Sequence, residues 1–306
     1  FAADDYDFKK PKALLDTRQQ QPADHPQDSR EIYDWPGGYT EVGDGENYAR
    51  VRIEQLKAER EVMHGFGNAR NLAPGYLFTL AKYPRADQNQ QYLIEAADYR
   101  FEENVYRSDG AGGSGAAKRG GADSPTPYRL AVEVVPSKVP YRSQRTTPKP
   151  HTTGPQTAVV VGPPGEEIYT DQYGRVKVQF HWDRYGQMNE NSSCWIRVSS
   201  PWAGSNYGGI HIPRIGQEVI VDFLNGDPDY AIITGRVYNA MQMPPWDLPG
   251  NKTQSGFLTR STKGGTPGHG LHNSPGTANA IRFEDKAGQE QLWLHAQKDQ
   301  LTEVEN

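Results

Sequence analysis

The sequence predicts a mainly β chain with more than one domain. Three observations carry that expectation. Gly and Pro are abundant, 32 and 23 of 306 residues, which fits short strands joined by many turns and not a helical bundle. Apolar residues alternate with polar ones in two separated stretches, Val176, Val178, Phe180 and Trp182 in one, Ile281, Phe283, Leu292 and Leu294 in the other. That period of two is the mark of a strand with one buried face. Residues 45–64 form the clearest helix in the chain. The length asks for two or three domains. The hydrophobic share of 35% is low for a self-contained protein, so either long polar loops dilute the core or another subunit supplies part of it. The net charge of −5 gives no electrostatic footprint for duplex nucleic acid. The single cysteine, Cys194, excludes an internal disulfide, and its apolar strand context predicts a small buried side chain. No apolar run approaches a membrane span. The start, FAADDYDFKKPK, has neither Met nor a signal-peptide layout, and LTEVEN ends the chain inside a patterned β segment, so an excerpt of a longer protein is expected.

Residues 1–44 are polar and rich in Pro and Gly, with a turn at Trp35-Pro36-Gly37-Gly38, and predict only short strands. In the helix over 45–64, Ala49, Ile53, Leu56 and Met63 share a face, Glu46–Arg50 and Lys57–Glu61 are surface pairs, and Gly65 and Gly67 stop it. GYLFTLAKY and QYLIEAADYRF then read as strands. SDGAGGSGAAKRGGADSPTP reads as a mobile loop. YRLAVEVVPS returns to alternation, with Leu130, Val132 and Val134 on one face. The Pro-rich run PSKVPYRSQRTTPKPHTTGPQ predicts an extended linker and a domain boundary near residue 150.

The next module begins near Thr157. GRVKVQFHW and CWIRVSS, the latter through Cys194, Ile196 and Val198, predict one-faced strands, whereas QEVIVDFL predicts a strand buried on both faces. Asn225-Gly226 supplies a hairpin turn. About five short strands in some 80 residues suit a small closed barrel such as an OB-fold, with Val176, Val178, Phe180, Ile196, Val198, Val219 and Val221 as its core. After a Pro-rich crossover, AIRFEDKAGQEQLWLHAQKD predicts a two-stranded hairpin whose apolar stripe cannot stand alone. Three copies around a shared axis would cover it.

Little in the chain points to catalysis. Gly110, Gly112 and Gly115 satisfy a dinucleotide-type spacing but lack the strand before and the helix after. His269 and His272 sit in a Gly/Pro loop without Cys or acidic neighbours. His181 and His211 are read as polar-face strand residues. Glu166–Glu167 and Glu102–Glu103 are adjacent acids, whereas glycoside hydrolysis needs carboxylates held apart across a cleft. No catalytic, cofactor-binding or metal-binding residue is therefore expected. A barrel of this kind leaves one alternative open, binding of single-stranded nucleic acid or glycan through Trp182, Trp195, Trp202 and Tyr207 with Arg175 and Lys177. A cell-wall hydrolase is the other.

Several motifs in order, YDFKKPKALL, ENYARVRIEQLKAE, YTDQYGRVKVQFHWDR, CWIRVSSPWAG, GGIHIPRIGQEVIVDFLNGDPD and IRFEDKAGQEQLWLHAQKD, resemble the valine-glycine repeat (VgrG) spike proteins of bacterial type VI secretion systems, themselves related to contractile-phage tail-spike hubs. The resemblance covers nearly the whole chain. It implies a hub-like α+β base segment over 1–150, an OB-fold over 155–240, and a linker with the start of an intertwined trimeric β-prism or β-helix needle over 241–306. It implies a non-enzymatic homotrimer with Ile281, Phe283, Leu292 and Leu294 in the shared needle core. A secretion-tube protein of the Hcp kind should meet the base, a PAAR-repeat protein the tip, and effector or toxin cargo the needle. Nucleic acid and stable membrane insertion before firing are not implied. Assembly in the bacterial cytoplasm, then release into a target cell or the medium, would follow.

Overall fold

The computed structural model describes residues 1–22, 29–101, 128–266 and 276–305. The chain divides into two units, Phe1–Thr146 and Thr147–Asn306. The Gly-rich loop, Gly110, Gly112, Gly115, Glu102, Glu103, His269 and His272 lie outside the described residues.

The first unit opens with three two-residue strands, β1 (Ala2–Ala3), β2 (Thr17–Arg18) and β3 (Tyr33–Asp34), in the order β2-β1-β3. Tyr39 is their anchor. Its ring is buried, and its hydroxyl sits 2.9 and 2.7 Å from the Ala3 and Leu15 carbonyls and 3.0 Å from the Thr17 hydroxyl. Helix α1 follows at Val42–Ala58, with Asp44 in its first turn and Lys57 in its last, each placed to suit the helix dipole. It buries Gly45, Ala49, Gln55 and Ala58.

The helix therefore starts before the predicted Gly45 and stops well short of 64. Met63, Gly65 and Gly67 belong instead to β4 (Met63–Gly67), where Met63 lies opposite Val134. Sheet pairing has overridden the helical spacing that placed Met63 on the helix face. Arg50 pairs with Glu54 at 3.0 Å, and Arg142 joins the same carboxylate at 2.6 Å. After β5 (Leu77–Thr79), β6 (Gln91–Phe101) and β7 (Tyr128–Pro136) complete an antiparallel sheet ordered β4-β7-β6-β5. Its core is Tyr92, Ile94, Tyr128, Leu130, Val132 and Val134.

The second unit contains a barrel. Its strands are β8 (Gln156–Val161), β9 (Lys177–Phe180), β10 (Arg197–Val198), then the small pair β11 (Trp202–Ala203) and β12 (Gly208–Gly209), then β13 (Glu218–Phe223) and β14 (Ala231–Val237). The main sheet runs β10-β14-β13-β8-β9. Val176 and Ile196 close it. Each donates its amide to the other's carbonyl, at 3.0 and 2.8 Å, joining the ends of β9 and β10. Closure leaves no free edge in the ring, which is the OB arrangement. Val176, Val178, Ile196, Val219 and Val221 are buried in its core with Ala158, Val160, Phe223 and Ile233, while Phe180 and Val198 are partly buried against it.

Four sequence expectations for this module need correction. Cys194 is exposed, because the chain enters the barrel only at Ile196 and the residues before it lie outside. Trp182 is exposed, since β9 ends at Phe180 and the chain turns there. Gln179, expected on the polar face, is buried. Its amide oxygen accepts from the Met188 amide at 2.7 Å and the Ser192 hydroxyl at 2.9 Å, which pins the following loop. β13 buries Val219, Val221 and Phe223 but leaves Ile220 only partly buried, so it is one-faced rather than fully buried on both sides. A small closed barrel has only one interior.

The last elements are β15 (Gln254–Leu258), β16 (Ala280–Glu284) and β17 (Gln291–His295), an antiparallel sheet in that order. The expected hairpin thus gains a third strand from the end of the crossover.

Ile196→Ala should lower barrel stability by about 2–4 kcal/mol through the cavity it leaves. Trp182→Ala, at an exposed turn, should cost less than about 1 kcal/mol. Urea unfolding of both variants measures the contrast.

Candidate assembly surface

The sheet β15-β16-β17 places its side chains by register. Phe257 lies opposite Ile281, and Ser255 opposite Phe283. Ile281 lies opposite Leu294, and Phe283 opposite Leu292. Directly paired residues share a face, so Phe257, Ile281, Phe283, Leu292 and Leu294 form one apolar surface. They are 62, 45, 45, 60 and 54% exposed. Covering large side chains already half-buried is worth roughly 1 kcal/mol each. Phe257 was missed in the sequence because its neighbours Gly256 and Leu258 break the alternation. Gly256 is required there: its φ is +141°, and a Cβ would lie 2.1 Å from the Ile281 carbonyl oxygen.

The reverse face is the covered one. Ala280 and Arg282 are buried on it, with Trp293 and His295 partly so. The Arg282 guanidinium lies 4.9 Å from the centre of the Trp293 ring and donates to Gln291 Oε1 at 2.8 Å. Trp293 in turn stacks on His295 at 5.3 Å. The strict alternation thus misleads about which face is dry within one chain: the charged Arg282 is inside, the leucines outside.

Glu284 fastens β15 to the end of β16. It accepts from the Thr253 hydroxyl at 2.5 Å, the Gln254 amide at 3.1 Å and the Lys286 backbone amide at 2.9 Å. The Thr253 and Gln254 hydrogen bonds hold its pKa below the usual glutamate range, against a smaller opposing effect of burial. From the barrel side, the His211 ring stacks on Phe257 at 5.4 Å and 8°. A groove of about 410 Å³ runs past His211, Phe257, Ile281 and Leu294.

The residues of the nucleic-acid alternative are mostly engaged within the module. Trp182 stacks on Phe180 at 5.2 Å and donates to Gln156 at 2.8 Å. Trp195 packs on Tyr169 at 4.8 Å, under Lys177. Lys177 also donates to the Glu190 carbonyl, and Arg175 is paired with Asp171 at 2.6 Å. Trp202 and Tyr207 touch each other edge-on at 5.7 Å but are otherwise open. His181 and His211 lie in turns or irregular backbone rather than in strands. His181 sits 3.1 Å from the Thr157 hydroxyl and 3.8 Å from Glu218. Glu166 pairs with Lys263 at 3.1 Å, and Glu167 accepts from the Gly264 amide. Among the described residues, no group of three or more His, Cys, Asp or Glu is arranged to hold a metal ion.

Three family descriptions match the chain: "Phage tail baseplate hub (GPD)" over residues 1–105, "Type VI secretion system/phage-baseplate injector OB domain" over 165–238, and "Bacteriophage T4 gp5 C-terminal trimerisation domain" over 255–306. The last covers the exposed sheet from its second residue, Ser255, onward. The type VI secretion system spike protein VgrG1b of Pseudomonas aeruginosa is 53% identical over 99% of this chain and 38% of its own length. VgrG1c of the same organism is 51% identical over 99% and 39%. The actin cross-linking toxin VgrG1 of Vibrio cholerae is 41% identical over 99% and 26%. The chain thus spans about two fifths of the spike relatives it matches, and less of the toxin. A solved structure of the E. coli c3393 protein, described as a type VI secretion component similar to T4 tail proteins gp27 and gp5, aligns with a TM-score of 0.42 at 21% identity, over 65% of this chain and 45% of that one.

A carboxylate whose pKa is lowered by folding stabilises above its unfolded pKa, about 4.3 for Glu, and loses that contribution as pH falls through the folded value. Glu284→Gln should therefore lower the thermal midpoint at neutral pH and flatten its fall below about pH 4.3. A melting series across pH on both proteins checks this.

Proposed function

Across these 306 residues the chain belongs to the VgrG family of type VI secretion spike proteins, and on that premise we propose that it supplies part of the base, the neck and the start of the needle of a homotrimeric spike. One observation carries the reading above the others. The sheet over Gln254–His295 covers its Arg282 face and leaves five large apolar side chains on the other. A single chain that holds this face to water forgoes several kcal/mol in total. Three copies can turn it inward and also remove the exposed strand edges of each sheet. The needle core would then be Ile281, Phe283, Leu292 and Leu294, as the alternation suggests, with Phe257 added. The barrel core, Val176 through Val221, serves as a rigid neck.

The wider assignments rest on family membership. The base meets an Hcp-like tube protein, a PAAR-repeat protein sharpens the tip, and effectors ride on the needle or beyond it. The spike assembles in the bacterial cytoplasm and leaves with the tube. No helix among the described residues is long and apolar enough to cross a membrane. We assign this segment a mechanical rather than a catalytic role. Almost the same 300-residue stretch recurs in relatives named as spikes and in one named as an actin cross-linking toxin, which suits a common scaffold better than the source of any one activity.

Phe283→Asp or Leu294→Asp places a charge in the proposed shared core, where it lacks a partner. Light scattering coupled to size exclusion should show the parent as a trimer and each variant as a monomer at the same loading. A variant trimer as stable as the parent would remove these residues from the core.

A further inference from the structure

The barrel carries an arm that its own fold does not use. Between Ser199, whose amide donates to the Ile233 carbonyl at 2.8 Å, and Ile212, which packs on the barrel core, the chain leaves the barrel as the β11–β12 pair. Trp202 lies opposite Gly209 and Ala203 opposite Gly208. The arm is built rather than loose. The Gly204 amide donates to the Tyr207 carbonyl at 2.9 Å, and the Trp202 and Tyr207 rings meet edge-on. Gly208 has φ +134°, and a Cβ there would lie 2.4 Å from the Trp202 carbonyl oxygen. At its root the Arg236 guanidinium donates to the His211 carbonyl.

This rigid arm holds Trp202, Tyr207 and Ile210 at 65, 63 and 73% exposure. Residues Pro201 to Ile210 include no charged side chain. Aromatic-rich, charge-free surface is the composition of an interface core, and a cluster of this kind left open on a lone protein marks an interaction site. The position of the arm identifies the occupant. The residue after Ile210 is His211, whose ring stacks on Phe257 at the end of the needle's apolar face. The root of the arm is therefore one residue from the edge of that face, so a copy seated on the face comes up beside the arm.

We propose that the Trp202–Ile210 arm is a subunit contact at the neck of the spike: it packs against a neighbouring copy of this chain and extends the needle seam onto the barrel. This rests on the homotrimer reading, because the needle seam brings the copies together. A second copy, rather than a separate partner, follows from that adjacency.

The test uses the full chain with Ile210→Cys in a Cys194→Ser background, which leaves one thiol. In the trimer the thiol should react with a maleimide about tenfold more slowly than in the Leu294→Asp monomer. If the cysteine variant fails to fold, the Trp202→Ala/Tyr207→Ala variant replaces it. It should need about tenfold more protein to reach half-trimer while keeping the far-ultraviolet circular dichroism of the parent. A trimer whose thiol reacts as fast as the monomer's, or whose half-trimer concentration the double variant leaves unmoved, overturns the arm contact alone and leaves the arm free for a different protein. A chain that stays monomeric at every concentration overturns both the arm contact and the trimer reading beneath it.

Discussion

The three-stranded sheet from Gln254 to His295 has two faces that both ask for cover, and its own chain covers only one. The Arg282–Trp293–His295 side is closed by stacking and by the bond to Gln291. The Phe257–Leu294 side is open. A strand alternates its side chains by geometry, so neither face can be relieved at the other's expense. This imbalance is what the proposed trimer would relieve. The proposed trimer would also account for the low hydrophobic share of the chain, because neighbouring copies would supply the missing apolar volume.

A shared needle core is useful only if it is connected to something stiff. The barrel meets that need by closure. The paired bonds between Val176 and Ile196 convert an open five-stranded sheet into a ring, and nine buried apolar residues fill it. The Lys149–Asp227 pair and the Thr152–Gly226 bonds tie the incoming chain to the turn between β13 and β14. Asp227 is almost fully buried. Burial is the largest single effect and would raise its pKa, but the hydrogen bond from Lys149, the Asp229 backbone amide and the Lys149 charge together hold it below the usual aspartate range, so the tie stays charged at neutral pH.

Much of this was legible in the sequence where period and topology agree. The strands around Val132 and Val178 alternate, and Leu130, Val132, Val134, Val176 and Val178 are buried where the alternation says. Legibility failed wherever a tertiary partner changed the rule. Met63 has helical spacing but is taken by β7. Gln179 is polar yet buried, because a loop brings donors to its amide. Cys194 reads as strand but lies just before the barrel closes. In the assembly surface the apolar stripe Ile281–Leu294 was visible, and the resemblance to spike proteins told which neighbours to expect. Phe257 and the buried Arg282 were not visible: the first hides behind a glycine needed for close backbone approach, the second is a charged residue that is buried only because the Trp293 ring covers it.

The central claim is that three copies of this chain meet through the Phe257–Leu294 face. Sedimentation equilibrium of the parent chain tests it most directly. The account predicts a mass three times the 34.1 kDa of one chain, reached without any added partner. A single-chain mass up to the highest soluble concentration would contradict it.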